Sequence, residues 1–231
     1  MDKKRIKNRS EWNKRGEIMY IEVKNLTKRI ENITILDSIN LQLDQGRIYG
    51  LKGKNGSGKT MLIKAICGLI RPSQGEIIVD GMTLGRNQEF PKSVGALIEN
   101  PGFIDHYSGY KNLKLLADIK GEIGEDEIRT VMKELGLDPD EKKRVKKYSL
   151  GMKQKLGIAA AVMEHPKLIL LDEPTNALDT ESVEKFNNLI QKEKKRNAVI
   201  LIASHDTEEL KGIADQIFVI ENGRIKKEEQ L

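Results

Sequence analysis

Two short patterns constrain what this chain can fold into more than any other feature of its 231 residues. The first, Gly53–Thr60, reads Gly-Lys-Asn-Gly-Ser-Gly-Lys-Thr, and the second, Leu168–Pro174, is an apolar run followed by two carboxylates and a proline. Backbone N–H groups of a glycine-rich loop can approach phosphate closely because no Cβ blocks the way. Paired carboxylates at the end of a buried strand can hold Mg²⁺ and polarise a water molecule. Together the patterns predict a nucleotide, its magnesium ion and a water-activating base.

The first pattern lies between a predicted strand and a predicted helix. Gly46–Leu51 has the composition of a short strand, and the apolar residues after the loop have helical spacing. We expect Lys59 to reach the β- and γ-phosphates and the hydroxyl of Thr60 to ligate Mg²⁺, at the positive end of that helix. The residues of this loop predicted to bind the nucleotide are Gly53, Asn55, Gly56, Ser57, Gly58, Lys59 and Thr60.

Three further polar residues follow predicted buried strands. Asp172 closes the strand Leu168–Leu171 and is expected to hold Mg²⁺, while Glu173 is positioned to polarise the attacking water. His205 follows the strand Ala198–Ala203, at the carboxyl end where parallel sheets bind ligands, and is expected to contact the γ-phosphate. These positions predict Glu173, His205 and Lys59 as the catalytic residues.

A second candidate anion site precedes the apolar helix predicted at Leu156–Met163. In Tyr148–Gln154, Ser149 is a good helix N-cap and Gly151 is expected to keep the first turn open. One phosphate group does not need two such sites on one chain. The economical interpretation is that the second site completes the nucleotide site of a partner subunit.

Charge and composition exclude several classes of protein. Of the net charge of +5, residues 1–18 contribute +4 through seven Lys/Arg and three Asp/Glu, which leaves +1 for the rest of the chain. The body is therefore not a basic nucleic-acid-binding domain by composition. The single Cys67 allows neither an intrachain disulfide nor a zinc site. We expect residues 1–18 to be a basic tail that is disordered or non-native, because it is polar and a clean strand begins at Met19.

The remaining periodicity predicts an α/β architecture. Strands joined by turns precede the phosphate loop, and strands alternate with helices after residue 166. Between them the pattern is helical, with one apolar stripe of Leu113, Leu116 and Ile119 and a second of Ile128, Val131, Met132 and Leu135. We therefore predict an α/β core interrupted by a helical insertion near residues 103–163.

The motifs in this order resemble the ATP-binding subunit of an ABC transporter over residues 19–225. Gly53–Thr60 resembles the Walker A loop, Leu168–Glu173 Walker B, Tyr148–Gln154 the signature, Asn176–Asp179 the D-loop and His205 the switch histidine. The resemblance implies a P-loop NTPase core with an antiparallel β subdomain and an inserted α-helical subdomain over residues 19–231. It also implies ATP and Mg²⁺, a head-to-tail dimer that encloses two ATP molecules, transmembrane permease subunits, and a location at the cytoplasmic face of the membrane. Asp179 and the signature residues Ser149 and Gly151 are then expected at the nucleotide.

Three departures from the family pattern concern the site. Leu150 and Met152 replace a glycine and the glutamine of the signature, although Ser149 is kept. Glu99 stands where the family has the Q-loop glutamine; it can still ligate Mg²⁺, but its charge should raise the pKa of a nearby carboxyl group. Ile30 replaces the aromatic residue that stacks on adenine, so weaker selection of the base is expected.

One branch of the family is a closer match, and two rival functions stay open. Gly95–Phe103 together with the signature resembles the ATPases of bacitracin-resistance and lantibiotic-immunity exporters, which implies export of antimicrobial peptides. The first rival is a soluble ABC-type ATPase acting on the ribosome or nucleic acid, suggested by the basic run Lys142–Lys147. The second is a regulatory ATPase with a disabled site, allowed by Glu99 and Ile30. We expect no nucleic-acid partner.

Overall fold

The computed structural model describes residues 19–99 and 102–230, so the expectations about residues 1–18 lie outside the described part of the chain. Its strands are β1 (Met19–Ile30), β2 (Ile33–Asp44), β3 (Arg47–Lys52), β4 (Gln74–Val79), β5 (Met82–Thr83), β6 (Val94–Leu97), β7 (Leu168–Asp172), β8 (Val199–Ser204), β9 (Gln216–Glu221) and β10 (Arg224–Gln230). Its helices are α1 (Lys59–Ile66), α2 (Gly109–Lys120), α3 (Glu125–Glu134), α4 (Leu150–Val162), α5 (Thr180–Lys195) and α6 (Thr207–Ile213), with a 3₁₀ turn at Val145–Lys147.

A six-stranded sheet in the order β10-β9-β3-β8-β7-β6 forms the centre of the molecule. All neighbours in it run parallel except β9 and β10, which are antiparallel. Strand β7 shows why these residues form it: Leu168 and Leu170 pack into one hydrophobic cluster, and Ile169 and Leu171 into the cluster on the opposite face. A parallel strand covered on both faces needs a continuous apolar run, which is what the sequence provides.

A second sheet, in the order β2-β1-β4-β5, is antiparallel throughout. Strands β1 and β2 form a long hairpin that closes with Ile30 opposite Ile33. Buried residues of this sheet share a hydrophobic cluster with α1 and with one face of the central sheet. The predicted antiparallel strands are therefore present.

Helices α2, α3 and α4 lie within the range 103–163 predicted as a helical insertion. The stripe predicted on α3 is correct, because its four members Ile128, Val131, Met132 and Leu135 are buried. The stripe predicted on α2 is wrong: Leu113 is buried, but Leu116 is 40% exposed and Ile119 78% exposed. Helix α2 instead buries a face of smaller and polar residues around Leu113, namely Gly109, Asn112 and Ala117.

The predicted fold class is confirmed, since an α/β core, an antiparallel sheet and a group of inserted helices are all present. Cys67 is buried, in keeping with a core residue. Among residues 19–99 and 102–230, no helix combines the length and the apolar character that crossing a bilayer requires.

Close packing of α4 on β6 gives a test of the fold. A Cβ added at Gly95 would lie 1.7 Å from the carbonyl oxygen of Ala161 on α4, so the helix or the strand would have to move. We expect Gly95→Ala to lower the free energy of unfolding by about 3 kcal/mol.

The matched control is Gly212→Ala on α6, where a Cβ meets no atom within 4 Å. There the substitution should raise stability by about 0.5–1 kcal/mol, because alanine has less backbone entropy to lose. Urea unfolding of both variants measures the difference, and equal stabilities would contradict the described packing.

Candidate nucleotide site

The site forms where three neighbouring parallel strands end. Strand β8 lies between β3 and β7, and Ala203 of β8 is opposite Leu51 of β3 on one side and Asp172 of β7 on the other. The phosphate loop follows β3, Glu173 follows Asp172, and His205 follows β8. The pairing therefore delivers the three predicted groups to one edge of the sheet, at the carboxyl ends of its strands.

Each glycine of the phosphate loop Gly53–Thr60 has a structural reason. Gly56 and Gly58 have φ angles of +77° and +109°, in the region that side chains disfavour. Gly58 is the residue that caps the start of α1. Gly53 has an ordinary φ angle, but a Cβ there would lie 2.6 Å from the carbonyl oxygen of Ile220. The loop can therefore hold this shape only with glycine at these positions.

Lys59, Glu173 and His205 form a continuous chain of contacts. The Lys59 ammonium donates to the carbonyl oxygen of Gly53 at 2.7 Å and lies 3.3 Å from Oε1 of Glu173. The other carboxylate oxygen of Glu173, Oε2, is 2.8 Å from Nδ1 of His205. The structure thus brings together the three residues predicted to be catalytic, and two of them hold the Glu173 carboxylate from opposite sides.

Asp172 and Thr60 meet at the start of α1 in a geometry that fits a divalent cation. The hydroxyl of Thr60 donates to Oδ2 of Asp172 at 2.6 Å. Oδ1 of Asp172 and the hydroxyl of Ser57 are both buried without a hydrogen-bond partner in the described part of the chain. Burial raises the pKa of Asp172, and the charges of Glu173 and Glu99 raise it further. Buried oxygen ligands without a partner are what a bound Mg²⁺ and phosphate would satisfy.

The signature residues cap the start of α4. Ser149 is the N-cap, as predicted, and its hydroxyl accepts from the N–H of Met152 at 3.2 Å. Gly151 has a packing role that the sequence did not indicate, because a Cβ there would lie 2.7 Å from the carbonyl oxygen of Ala177. Gly151 therefore allows α4 to approach the segment after β7. Leu150, which replaces a family glycine, is 62% exposed.

Comparisons with known proteins agree with this geometry. A family profile described as "ABC transporter" matches residues 36–176. The chain is 44% identical over 211 residues to the uncharacterized ABC transporter ATP-binding protein YybJ of Bacillus subtilis, covering 91% of this chain and 97% of that protein. The profile and this relative decide the family.

The chain belongs to the ABC transporter family. It is an ATP-binding cassette and an ATPase of that family. It is also 39% identical to the bacitracin transport ATP-binding protein BcrA of Enterococcus faecalis, over 90% of this chain and 68% of that protein. The lantibiotic transport ATP-binding protein SrtF of Streptococcus pyogenes is 35% identical, with 91% and 90% covered.

Solved structures give the same fold. The chain superposes with a TM-score of 0.83 on a structure described as the ATP-binding subunit of an ABC transporter, with 27% identity and coverage of 92% and 90%. A structure described as a dimeric bacterial ABC transporter cassette has a TM-score of 0.82, at 24% identity and with coverage of 91% and 98%. The second comparison, at 24% identity, shows that the two proteins share a fold.

The structure shows what three further residues contact, each of which the family resemblance assigns to the nucleotide. The carboxylate of Glu99 bonds Lys64 at 2.6 Å, rather than Thr60 or Asp172. Asp179 caps the start of α5, where bonds from Ser182 lower its pKa. Ile30, 46% exposed, sits at the tip of the β1–β2 hairpin. The raised carboxyl pKa expected from Glu99 occurs at Asp172, but burial is its main cause.

Two features of the site were not predicted from the sequence. Glu173 has a φ angle of +48° and Ala177 of +66°, which are strained values for residues with side chains. The side-chain amide of Gln154 on α4 donates to the carbonyl oxygens of Glu173 and Pro174, at 3.1 and 2.9 Å. Gln154 belonged to the signature pattern, but nothing in that pattern indicated which backbone it would hold.

The raised pKa of Asp172 predicts a trade between stability and activity. A folded-state pKa above the unfolded one means that the ionised carboxylate destabilises the fold near pH 7 and that this penalty disappears on protonation. We expect Asp172→Asn to raise the Tm of the nucleotide-free cassette, because the amide carries no charge to bury. ATP hydrolysis should be lost. Thermal unfolding at pH 7 and at pH 4 checks the sign of this change in stability. The increase in Tm should be smaller at pH 4 than at pH 7. A variant that is less stable than the unchanged protein at pH 7 would contradict the prediction.

Proposed function

We propose that this cassette is the ATP-hydrolysing subunit of a membrane exporter and works as a head-to-tail dimer that encloses two ATP molecules. The observation that carries the proposal is the Lys59–Glu173–His205 chain beside the Thr60–Asp172 pair. Hydrolysis of a nucleoside triphosphate requires a base, a contact to the γ-phosphate and a metal-binding pair. The residues proposed for these roles lie together at the carboxyl ends of the parallel strands. Because the contacts among these three residues are all present, they also argue against the rival function of a regulatory ATPase with a disabled site.

In this proposal each residue of the site has a defined task. Glu173 accepts a proton from the attacking water, and His205 holds Glu173 and contacts the γ-phosphate. Lys59 leaves Glu173 to bind the β- and γ-phosphates, which frees the carboxylate to act as base. Thr60 and Asp172 hold Mg²⁺, with Glu99 beside them. When bound with ATP, Mg²⁺ neutralises charge on the β- and γ-phosphates.

Ser149 and Gly151 are proposed to act on the nucleotide of the partner. Ser149 stands at the exposed first turn of α4, and among residues 19–99 and 102–230 no hydrogen bond or ion pair links it to the phosphate loop. Its N-cap position offers backbone N–H groups to an anion that its own chain does not supply. Asp179 lies at the same surface, two residues after Ala177, whose backbone contacts Gly151.

The mass in solution of Glu173→Gln tests the dimer. The variant keeps the shape of the site but lacks the base, so ATP should remain bound and hold two chains together. We expect a monomer without nucleotide and a dimer with Mg-ATP, measured by light scattering.

Two controls bracket this experiment. Lys59→Ala should stay monomeric because it cannot bind the phosphates, and Glu181→Gln, on the exposed surface of α5, should hydrolyse ATP and accumulate no dimer. A Glu173→Gln cassette that binds ATP and remains monomeric would overturn the composite site.

We propose that the cargo is an antimicrobial peptide, and this proposal is supported by the names of the relatives alone. BcrA and SrtF are named for bacitracin and lantibiotic transport. In such a system the permease subunits would select the cargo, and the cassette would supply the energy from the cytoplasmic face of the membrane. No comparison favours the rival function on the ribosome or nucleic acid.

The permease is proposed to dock on the segment Phe103–Tyr110 and the adjoining outer face of α2. That face carries three exposed apolar side chains, Leu115, Leu116 and Ile119. The segment follows Glu99, which bonds Lys64 of α1, so it is joined to the helix that begins at the phosphate loop. Exposed apolar patches of this kind mark interaction surfaces.

Charge placed on α2 tests this surface. We expect the double variant Leu116→Glu and Ile119→Glu to reduce binding of the cassette to membranes of its own host by about tenfold or more, because a carboxylate would have to be desolvated at the interface. Leu69→Glu is the control, since Leu69 is 55% exposed and follows α1 in the chain rather than belonging to α2. Cosedimentation measures binding, and ATP hydrolysis by the isolated chain should be unchanged. Equal binding of all three proteins would contradict the docking site.

A further inference from the structure

Glu209 of α6 uses both carboxylate oxygens to join two loops of the site. Oε2 accepts from the hydroxyl of Ser204 at 2.8 Å, and Oε1 accepts from the hydroxyl of Thr175 at 2.5 Å. Ser204 is buried and directly precedes His205, while Thr175 lies two residues after Glu173. One side chain on a short helix therefore holds the segment that carries the base and the segment that carries the histidine.

Capping of α6 does not account for these contacts. Asp206 is the N-cap, and its carboxylate accepts from the N–H groups of Glu208 and Glu209. A glutamate three residues after an N-cap commonly reaches back to the N–H of that cap. Here the N–H of Asp206 bonds the hydroxyl of Ser204 instead, and Glu209 extends in the other direction, to Ser204 and Thr175. Its contacts are those of a link between loops.

We propose that Glu209 is a positioning residue for ATP hydrolysis, which sets the distance between Glu173 and His205 through Thr175 and Ser204. Hydrogen bonds to an ionised carboxylate are stronger than neutral ones, so the link is stiff. Glu173 needs such support, because its φ angle of +48° is one that surrounding contacts must hold in place. The 2.8 Å contact of Glu173 with His205 is the distance that the link maintains.

The link lies outside the groups that bind ATP. Lys59 and Thr60 of the phosphate loop have no hydrogen bond to Glu209 in the described part of the chain, and their contacts run to Gly53, Glu173 and Asp172. Loss of the carboxylate should therefore leave nucleotide binding intact and slow the chemical step. Misplacement of a catalytic group by about 1 Å can cost about 10²-fold in rate.

The test compares Glu209→Ala with Glu208→Ala in the full chain. Glu208 is the neighbouring glutamate on the same helix, and its side chain is 83% exposed and paired only with Lys211 among the described residues. We expect Glu209→Ala to lower kcat for ATP about 10- to 100-fold while KM for ATP and the Kd of Mg-ATP change less than threefold. Glu208→Ala should match the unchanged protein in all three quantities.

Two further variants separate positioning from a general loss of structure. Glu209→Gln keeps the length of the side chain and one acceptor oxygen, and its amide N–H can donate to the hydroxyl that loses its acceptor, so it should recover most of the kcat that alanine loses. Thr175→Val removes one donor with little change in shape, and in combination with Glu209→Ala it should lower kcat no further than Glu209→Ala alone.

Three results would overturn the proposal. The first is a kcat of Glu209→Ala within twofold of Glu208→Ala. The second is a fall in kcat matched by an equal loss of Mg-ATP binding, which would indicate a damaged site. The third is additive effects of Thr175→Val and Glu209→Ala, which would show that the two residues act separately. If Glu209→Ala does not fold, Thr175→Val alone must still lower kcat at constant Kd.

Discussion

Parallel pairing of β3, β8 and β7 is the constraint on which the rest of the structure depends. Ala203 faces Leu51 on one side and Asp172 on the other, so the three strand ends are level. A slip of one residue would exchange the two faces of β7 and move Leu170 and Leu171 into the wrong clusters. Burial of these strands on both faces therefore fixes the register of the core, and the same register places the phosphate loop, Glu173 and His205 at one edge.

Burial of ionisable groups at the nucleotide site lowers the stability of the fold, and bound ligands would offset this loss. Burial raises the pKa of Asp172, and its Oδ1 has no hydrogen-bond partner in the described part of the chain. Lys59, 5% exposed, satisfies its charge with Glu173 and the loop carbonyl of Gly53. These charged groups stand close together, so in the proposed function phosphate and Mg²⁺ would bind among groups that are already oriented. Binding then exchanges contacts within the chain for contacts to the ligand.

The sequence predicts those parts of the molecule in which a residue type has only one use. Buried parallel strands need apolar runs, and a phosphate loop needs glycines, so β7, β8 and Gly53–Thr60 could be identified directly. Periodicity failed on α2, because the buried face is built from Gly109, Asn112 and Ala117, which do not count as large apolar residues, while the exposed Leu116 and Ile119 do. The link through Glu209 could not be predicted, since Thr175 is 34 residues away and the contact exists only in three dimensions.

Helix α4 connects the two halves of the composite site by its own stiffness. Its N-cap is Ser149, the residue proposed to contact the nucleotide of the partner, and five residues later Gln154 donates to the backbone carbonyl oxygens of Glu173 and Pro174. Gly151 brings the same helix against Ala177. A helix transmits displacement along its axis because each turn is bonded to the next. In the proposed dimer, a displacement of Ser149 would therefore reach Gln154, whose amide bonds the backbone of Glu173 one turn and a half further along α4.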